Sequence, residues 1–160
     1  MTQNSTILRP IIALYEPDIP QNTAAIIRTC ACLGAKLEII EPCGFLLTDK
    51  RFKRVVMDYM DHNQIEFYQS SDKFFEAKKN QRIVLMTTKG SISYTKFKFN
   101  SDDTILFGRE SAGVPESIHQ LIENRLKIPM KINRNFIFVV DDQRKIRKGN
   151  RLVNTTRILK

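Results

Sequence analysis

Apolar residues come along this chain in short unbroken runs that end at glycine, proline or charge. Residues 10–15 carry Ile11-Ile12-Ala13-Leu14 with no polar break, as a strand covered on both faces does. The run stops at Glu16-Pro17-Asp18-Ile19-Pro20, where two prolines exclude a helix running through. Asn22 or Thr23 is placed to cap the next element. Ile26, Ile27, Cys30, Ala31 and Leu33 then recur at spacings of three and four, which predicts an amphipathic helix stopped at Gly34. Residues 36–41 read as a second strand and Pro42-Cys43-Gly44-Phe45 as a turn. Asp49 begins a helix in which Lys50, Arg51, Lys53 and Arg54 alternate with Phe52, Val55, Val56 and Tyr59. A third strand is predicted over residues 65–68, a short helix over 72–79, and a fourth strand over 82–86 that meets Thr87-Thr88-Lys89-Gly90. Residues 91–103 form a polar connection with few helix signals. Residues 104–107 are a fifth strand, 116–122 a short helix, and 125–128 a sixth strand stopped by Pro129-Met130.

Strands alternating with helical segments predict an α/β fold with a mainly parallel sheet and helices on both faces. In such sheets ligands bind outside the carboxyl ends of the strands. The stretch Ile105-Leu106-Phe107-Gly108-Arg109-Glu110-Ser111-Ala112-Gly113-Val114-Pro115 has that form: a buried strand, a glycine, a charged pair, a second glycine and a helix-opening proline. Gly108 and Gly113 would let backbone approach a ligand with no Cβ in the way, and Glu110 would place a carboxylate there. An ordinary Gly/Pro loop is the competing reading. Arg28 falls near the predicted first turn of its helix, where a cation opposes the helix dipole. It is either a solvated residue or one held to meet an anion such as a phosphate. The cations of residues 50–54 are likewise either a solvated helix face or a surface for nucleic-acid backbone.

Several classes drop out. Gly-x-Gly-x-x-Gly, Gly-x-x-x-x-Gly-Lys-Ser/Thr and a Ser-centred nucleophile elbow are all missing, which weakens dehydrogenase, nucleotide triphosphatase and hydrolase readings. At 160 residues and 42% hydrophobic content, one domain with one sizeable core is expected. No apolar run nears the ~20 residues of a membrane span, and the polar first ten residues lack the core of a signal peptide. Cys30, Cys32 and Cys43 are odd in number and His62 and His119 stand alone, so no metal site is expected and a reduced, cytoplasmic protein is. The net charge of +9 suggests a polyanionic partner. Yet residues 131–160 hold nine Lys/Arg against two Asp, and residues 1–130 are nearly balanced.

Three stretches together resemble one family. Leu14-Tyr15-Glu16-Pro17-Asp18-Ile19-Pro20-Gln21-Asn22-Thr23, continuing through Ile26-Ile27-Arg28-Thr29-Cys30, resembles the first motif of the SPOUT (TrmH-type) RNA methyltransferases. Ile40-Glu41-Pro42-x-Gly44-Phe45, with Asp49-Lys50-Arg51 and Asp58-Tyr59, is similar to the small TrmL/YibK branch. Phe107-Gly108-x-Glu110-x-x-Gly113-x-Pro115, then Ile128-Pro129-Met130, resembles the second motif. The resemblance implies a homodimer with a deep trefoil knot at the carboxyl end of the sheet, binding S-adenosylmethionine through three loops. It implies ribose 2′-O-methylation of the wobble nucleotide, position 34, in certain leucine tRNAs. By the same resemblance Arg28 handles the hydroxyl proton, Asn22 shapes that site and Glu110 orients the arginine. Met86, Thr87, Gly108 and Ile128 fall on the cofactor loops, and Lys50, Arg51, Lys53 and Arg54 would face tRNA.

The third family motif, a Ser-x-Asn turn opening an apolar helix, is not matched after Met130. Residues 1–130 are therefore expected to form the methyltransferase domain, with a divergent or frame-shifted basic tail over residues 131–160. Codons for Phe138 through Ile146 can be read one nucleotide later as Ser-Ser-Leu-Met-Ile-Ser-Glu-Lys-Leu, a helix-compatible run. A genuinely divergent tail is the alternative. The knot would then be incomplete, residues 141–160 would stay outside the core, and dimerisation would weaken. Two other functional outcomes are then open: an inactive methyltransferase relic, or a non-catalytic RNA-binding protein that uses the tail.

Overall fold

A computed structural model describes residues 11–60, 65–130, 145–148 and 151–154. The first strand, β1 (Ile11–Tyr15), leads into α1 (Pro20–Leu33), β2 (Lys36–Ile40), α2 (Lys50–Met60), β3 (Ile65–Tyr68), α3 (Ser71–Ala77) and β4 (Ile83–Met86). A two-residue strand β5 (Ile92–Ser93) and a 3₁₀ turn (Tyr94–Lys96) precede β6 (Thr104–Phe107), α4 (Glu116–Leu121) and β7 (Asn124–Lys127). The strands form one parallel sheet in the order β3-β2-β1-β6-β4-β7-β5. The central register sets Ile11 opposite Lys36 on one side and Thr104 on the other.

Each face of the sheet carries its own core. Leu14, Leu37 and Ile39 pack with Ala24, Ile27 and Cys30 of α1 and Phe52 and Val56 of α2. Ala13, Tyr15, Ile40, Leu85 and Leu106 point the other way, onto Phe74 of α3 and Ile118 and Ile122 in and after α4. The helices therefore cover both faces, which is why β1 and β4 read as continuous apolar runs rather than alternating ones.

Local chemistry sets the element ends. Gly34 has φ +66°, and it and Ala35 return hydrogen bonds to Ala31 and Cys30, the left-handed close that glycine permits. Asp49 Oδ1 accepts from the Arg51 and Phe52 amides at 2.7 and 3.3 Å and so caps α2. The start of α1 differs from the expectation. Pro20, with its φ already set and no N–H to lose, occupies the first turn. Asn22 and Thr23 are inside the helix rather than capping it, and the Thr23 hydroxyl donates back to the Ile19 carbonyl at 3.1 Å. Arg28 consequently lies in the third turn, and the first-turn dipole argument does not apply to it.

The connection expected to be irregular is anchored. Arg82 makes a fork to Asp103, Nε–Oδ1 2.6 Å and Nη2–Oδ2 2.7 Å, and a further bond to the Lys98 carbonyl. Its guanidinium stands 4.9 Å from the Phe97 ring. This ties residues 97–103 to the start of β4.

Of the tail, β8 (Lys145–Lys148) and β9 (Arg151–Asn154) pair with each other as a separate antiparallel sheet, Ile146 opposite Val153. The sequence predicts an extended or poorly ordered tail outside the core over residues 141–160; these two strands are extended and share no ladder with the main sheet. The segment directly after the expected boundary at residue 130, with the position of the third motif, the run Phe136–Val140 and the reading-frame question, lies outside the described residues. Among the described residues, no helix is long and apolar enough to cross a membrane.

Candidate active site

From β1 the chain goes outward to β2 and β3, then crosses to the other side of β1 for all later strands of the sheet. The reversal lies between β1 and β6, so a crevice is expected at their carboxyl ends. Two loops meet there. After Phe107, Arg109 and Gly113 exchange backbone hydrogen bonds of 3.1 and 2.7 Å, closing a tight loop. Gly113 has φ +67°, and a Cβ on Gly108 would stand 2.7 Å from the Gly113 Cα. The glycines thus make room for each other, and not in the first instance for a ligand as the sequence suggested: β6 can only turn back on itself where neither residue has a side chain.

The β1 loop meets this one through two ties. The Glu16 carboxylate forms an ion pair with the Arg109 guanidinium. Two residues on, the Asp18 amide donates to Glu110 Oε2 at 3.0 Å. Glu16 has φ +41°, a left-handed conformation uncommon outside glycine that costs of order 1–3 kcal/mol. It is held by its amide bond to the Ile40 carbonyl, 2.9 Å, and by Arg109. The turn after β2 closes on the same point: the Gly44 amide donates to the Pro17 carbonyl at 2.9 Å, and a Cβ on Gly44 would lie 2.6 Å from Asp18 Cβ. Burial, then the neighbouring Asp18 carboxyl, pushes Glu110 above the ordinary carboxylate range. Burial, helped by Glu41 and Glu110, pushes the Cys43 thiol up to about 11, so it stays protonated and inert at neutral pH.

The predicted cofactor residues come together because β6, β4 and β7 are neighbours, with Met86 opposite both Phe107 and Leu126. The Thr87 amide donates to the Leu126 carbonyl at 2.8 Å, and the Gly90 amide returns to Thr87 at 3.1 Å. A Cβ on Gly90 would come within 2.4 Å of the Leu126 carbonyl carbon, so only glycine closes this turn. Thr87 Oγ1 accepts from the Lys89 amide at 3.2 Å and lies 3.1 Å from His119 Nε2. His119, a lone histidine in the sequence, is buried on α4 and braces the turn; no local pattern marks it. Met86 is half-buried, while Ile128 and Met130 are exposed beside the strand ends.

The third group flanks a cleft of about 450 Å³ between the starts of α1 and α2, walled by Pro20, Gln21, Ala24, Arg28, Phe45, Asp49 and Arg51 among others. Two helix starts and two guanidinium groups face one space there. Arg28 is exposed, its guanidinium 5.6 Å from the Tyr59 ring centroid. Lys50, Arg51, Lys53 and Arg54 are all exposed on α2, whose Phe52 and Val56 are buried. The structure therefore brings Arg28 and Arg51 together. Asn22 and Glu110 do not line this cleft; Glu110 meets the first-motif loop through the Asp18 backbone. Among the described residues, no group of three His, Cys, Asp or Glu could hold a metal ion.

Comparison with known proteins gives the family of the chain. The profile of the SpoU rRNA Methylase family matches residues 9–135. A tRNA (cytidine(34)-2′-O)-methyltransferase of Beijerinckia indica is 46% identical over 123 residues, 76% of this chain and 77% of that protein. The protein of the same name from Escherichia coli K12 is 40% identical over 121 residues, 74% of this chain and 77% of its own. A solved structure, described as giving structural insights into the 2-OH methylation of C/U34 on tRNA, superposes with TM-score 0.73 at 36% identity, covering 78% of this chain and 82% of that one.

Proposed function

The chain belongs to the SpoU methylase family, and from that premise we propose that it is a tRNA ribose 2′-O-methyltransferase acting on nucleotide 34. The observation that carries this is the 46% identity to a relative of that name over 77% of the relative's length. Its methyl donor is S-adenosylmethionine. The strand ends fit such a donor: two glycine-closed turns and the apolar side chains of Met86, Ile128 and Met130 gather at three adjacent strands. Met86, Thr87, Gly108 and Ile128 would hold it there, and it supplies an electrophilic methyl group on a sulfonium.

The protein's own share is position and electrostatics. A ribose hydroxyl is a weak acid, so it reacts only if the charge growing on its oxygen is met as the proton leaves. Arg28 meets that charge. Its guanidinium, a planar fork of N–H donors, faces the cleft where a nucleotide would enter, with an RNA phosphate oxygen taking the proton. Asn22 shapes the approach from the first turn of α1. Glu110 fixes the loop that carries them, through Asp18. Lys50, Arg51, Lys53 and Arg54 supply the phosphate contacts of tRNA binding. Restriction to leucine tRNAs, a homodimer and a cytoplasmic location complete the proposal. Leu33, exposed at the end of α1, supports a partner surface, and three free cysteines support a reducing compartment. The methyltransferase domain is taken as residues 1–130, with residues 131–160 an aberrant tail.

Calorimetry with S-adenosylmethionine tests this reading. The methyltransferase binds it with a measurable heat and 1:1 stoichiometry per chain. A relic with an incomplete knot, or an RNA-binding protein working through its tail, gives no heat.

A further inference from the structure

We propose that Arg109 is a positioning residue: its ion pair with Glu16 locks the 108–115 loop to the 16–19 segment and so keeps Glu110 on the Asp18 amide. The inference rests on the proposed function, in which Glu110 serves methyl transfer. Arg109 is neither a fixed position of the family-like motif nor on the walls of the cleft.

The geometry argues for it in three steps. First, Arg109 is rigid at its base. Its amide and carbonyl both bond Gly113, so its side chain leaves a closed loop in a fixed direction. Second, its target is strained. Glu16 adopts φ +41°, and such a backbone persists only where the surroundings over-determine it. The Ile40 carbonyl holds its amide and Arg109 holds its carboxylate. Third, the ties come in adjacent residues. Arg109 and Glu110 reach Glu16 and Asp18, so neither loop can shift without breaking both contacts. Beyond Asp18 the chain enters α1 at Pro20, the helix that carries Asn22 and Arg28. The pair thus connects the second motif to the first across the switch point of the sheet. Without Arg109, the carboxyl groups of Glu16, Asp18 and Glu110 would share one crevice with one cation fewer to balance them. Glu110 would then be displaced from Asp18.

The test uses the full chain and two readouts, one independent of turnover. In Arg109→Met, exchange of the Asp18 amide with deuterium should accelerate by tenfold or more (about tenfold marks a small opening free energy), while amides of Ala13 and Leu106 keep their protection. Methyl transfer to tRNA at saturating S-adenosylmethionine should fall about 100-fold, the scale of a misplaced catalytic group, with cofactor affinity unchanged. The double variant Glu16→Arg/Arg109→Glu should restore most of both, and Arg109→Lys part of both. Unchanged Asp18 exchange in Arg109→Met overturns the proposal. So does a charge-swapped variant that folds but recovers neither readout, because the arginine would then act by bulk alone. If Arg109→Met does not fold, Arg109→Lys and the swap decide in the same way. Absence of methyl transfer by the wild-type chain would count against the proposed function, while the exchange result would still decide the role of Arg109.

Discussion

Two charge clusters are built into the same sheet, and they differ in what they join. Inside it, Glu38 of β2 is fully buried, 2.6 Å from Lys78 Nζ and 3.1 Å from Lys36 Nζ, and Lys36 continues to Glu66 of β3 at 2.6 Å. At its carboxyl edge, Glu16 pairs with Arg109 while Glu110 takes the Asp18 amide. The inner cluster ties residues that ladder and core packing already fix: Glu38 and Glu66 are opposite each other in register, and Lys78 ends α3, whose Phe74 packs in the core with Ile40. The outer cluster links two loops that no ladder joins. Charges of the first kind bear on whether the protein folds. Charges of the second kind bear on where its working groups stand.

Removing one partner of the inner cluster should have the largest effect. Lys78→Met leaves the Glu38 carboxylate buried beside only the half-exposed Lys36, and breaking a buried pair costs about 3–5 kcal/mol. Urea unfolding should show that loss, with turnover per folded molecule little changed. Arg109→Met should do the opposite, costing under about 1 kcal/mol in stability as partly exposed pairs do, but most of the activity. If Lys78→Met damages turnover while leaving stability intact, the contrast between the clusters fails.

The pH response sharpens the same contrast. Folding raises the Glu110 carboxyl above its free value of 4.5, mainly through burial. A group raised in the fold favours folding below its unfolded pKa, and that advantage is lost as pH rises through the folded value. At neutral pH Glu110 is therefore a liability to stability, and Glu110→Gln should make the protein more stable there while reducing methyl transfer. Asp103, bonded by Arg82, is held below its free value of 3.8. Its contribution is present above that pH and lost as pH falls through the lower folded value, so Asp103→Asn should weaken folding at neutral pH. Denaturant melts at pH 7 and pH 3 check both signs. A destabilised Glu110→Gln would place Glu110 with the structural group.

Much of this was legible in the sequence, and the reasons are local. Apolar runs marked the central strands β1, β4 and β6 because both faces of the sheet are covered there. Gly34 and Asp49 marked helix ends because each acts on its immediate neighbours. β5 was not legible, since two residues carry no period. The start of α1 was misplaced because Pro20 served the first turn where a side-chain cap was expected. His119 and Thr87 lie 32 residues apart, and Asp18 and Glu110 lie 92 apart. Such pairs exist only once strand order brings β1 beside β6 and α4 beneath the turn after β4. The cofactor and catalytic positions were named through resemblance, and Arg109 was passed over because the resemblance leaves its position open.

The smallest expected effects are on the outer face of α2. Neutralising Lys50, Arg51, Lys53 or Arg54 singly should leave stability and cofactor binding alone. Each should reduce the slope of log affinity for tRNA against log salt by about 0.7–0.9 if it contacts a phosphate. Filter binding across a salt series reads this directly. A change in methyl-transfer rate at saturating tRNA would instead place that residue with the catalytic groups.

We propose that the loops at the carboxyl ends of β1, β4, β6 and β7 form a methyl-transfer site for nucleotide 34, with Arg28 at the reacting hydroxyl. The most direct measurement is mass mapping of tRNA after incubation with the purified chain and isotope-labelled S-adenosylmethionine. The account predicts one labelled methyl, on the ribose 2′-oxygen of nucleotide 34, with the wild-type chain, and its loss by at least about 100-fold with Arg28→Ala. Label on a base, label at another nucleotide, or equal labelling by the Arg28→Ala chain would contradict it.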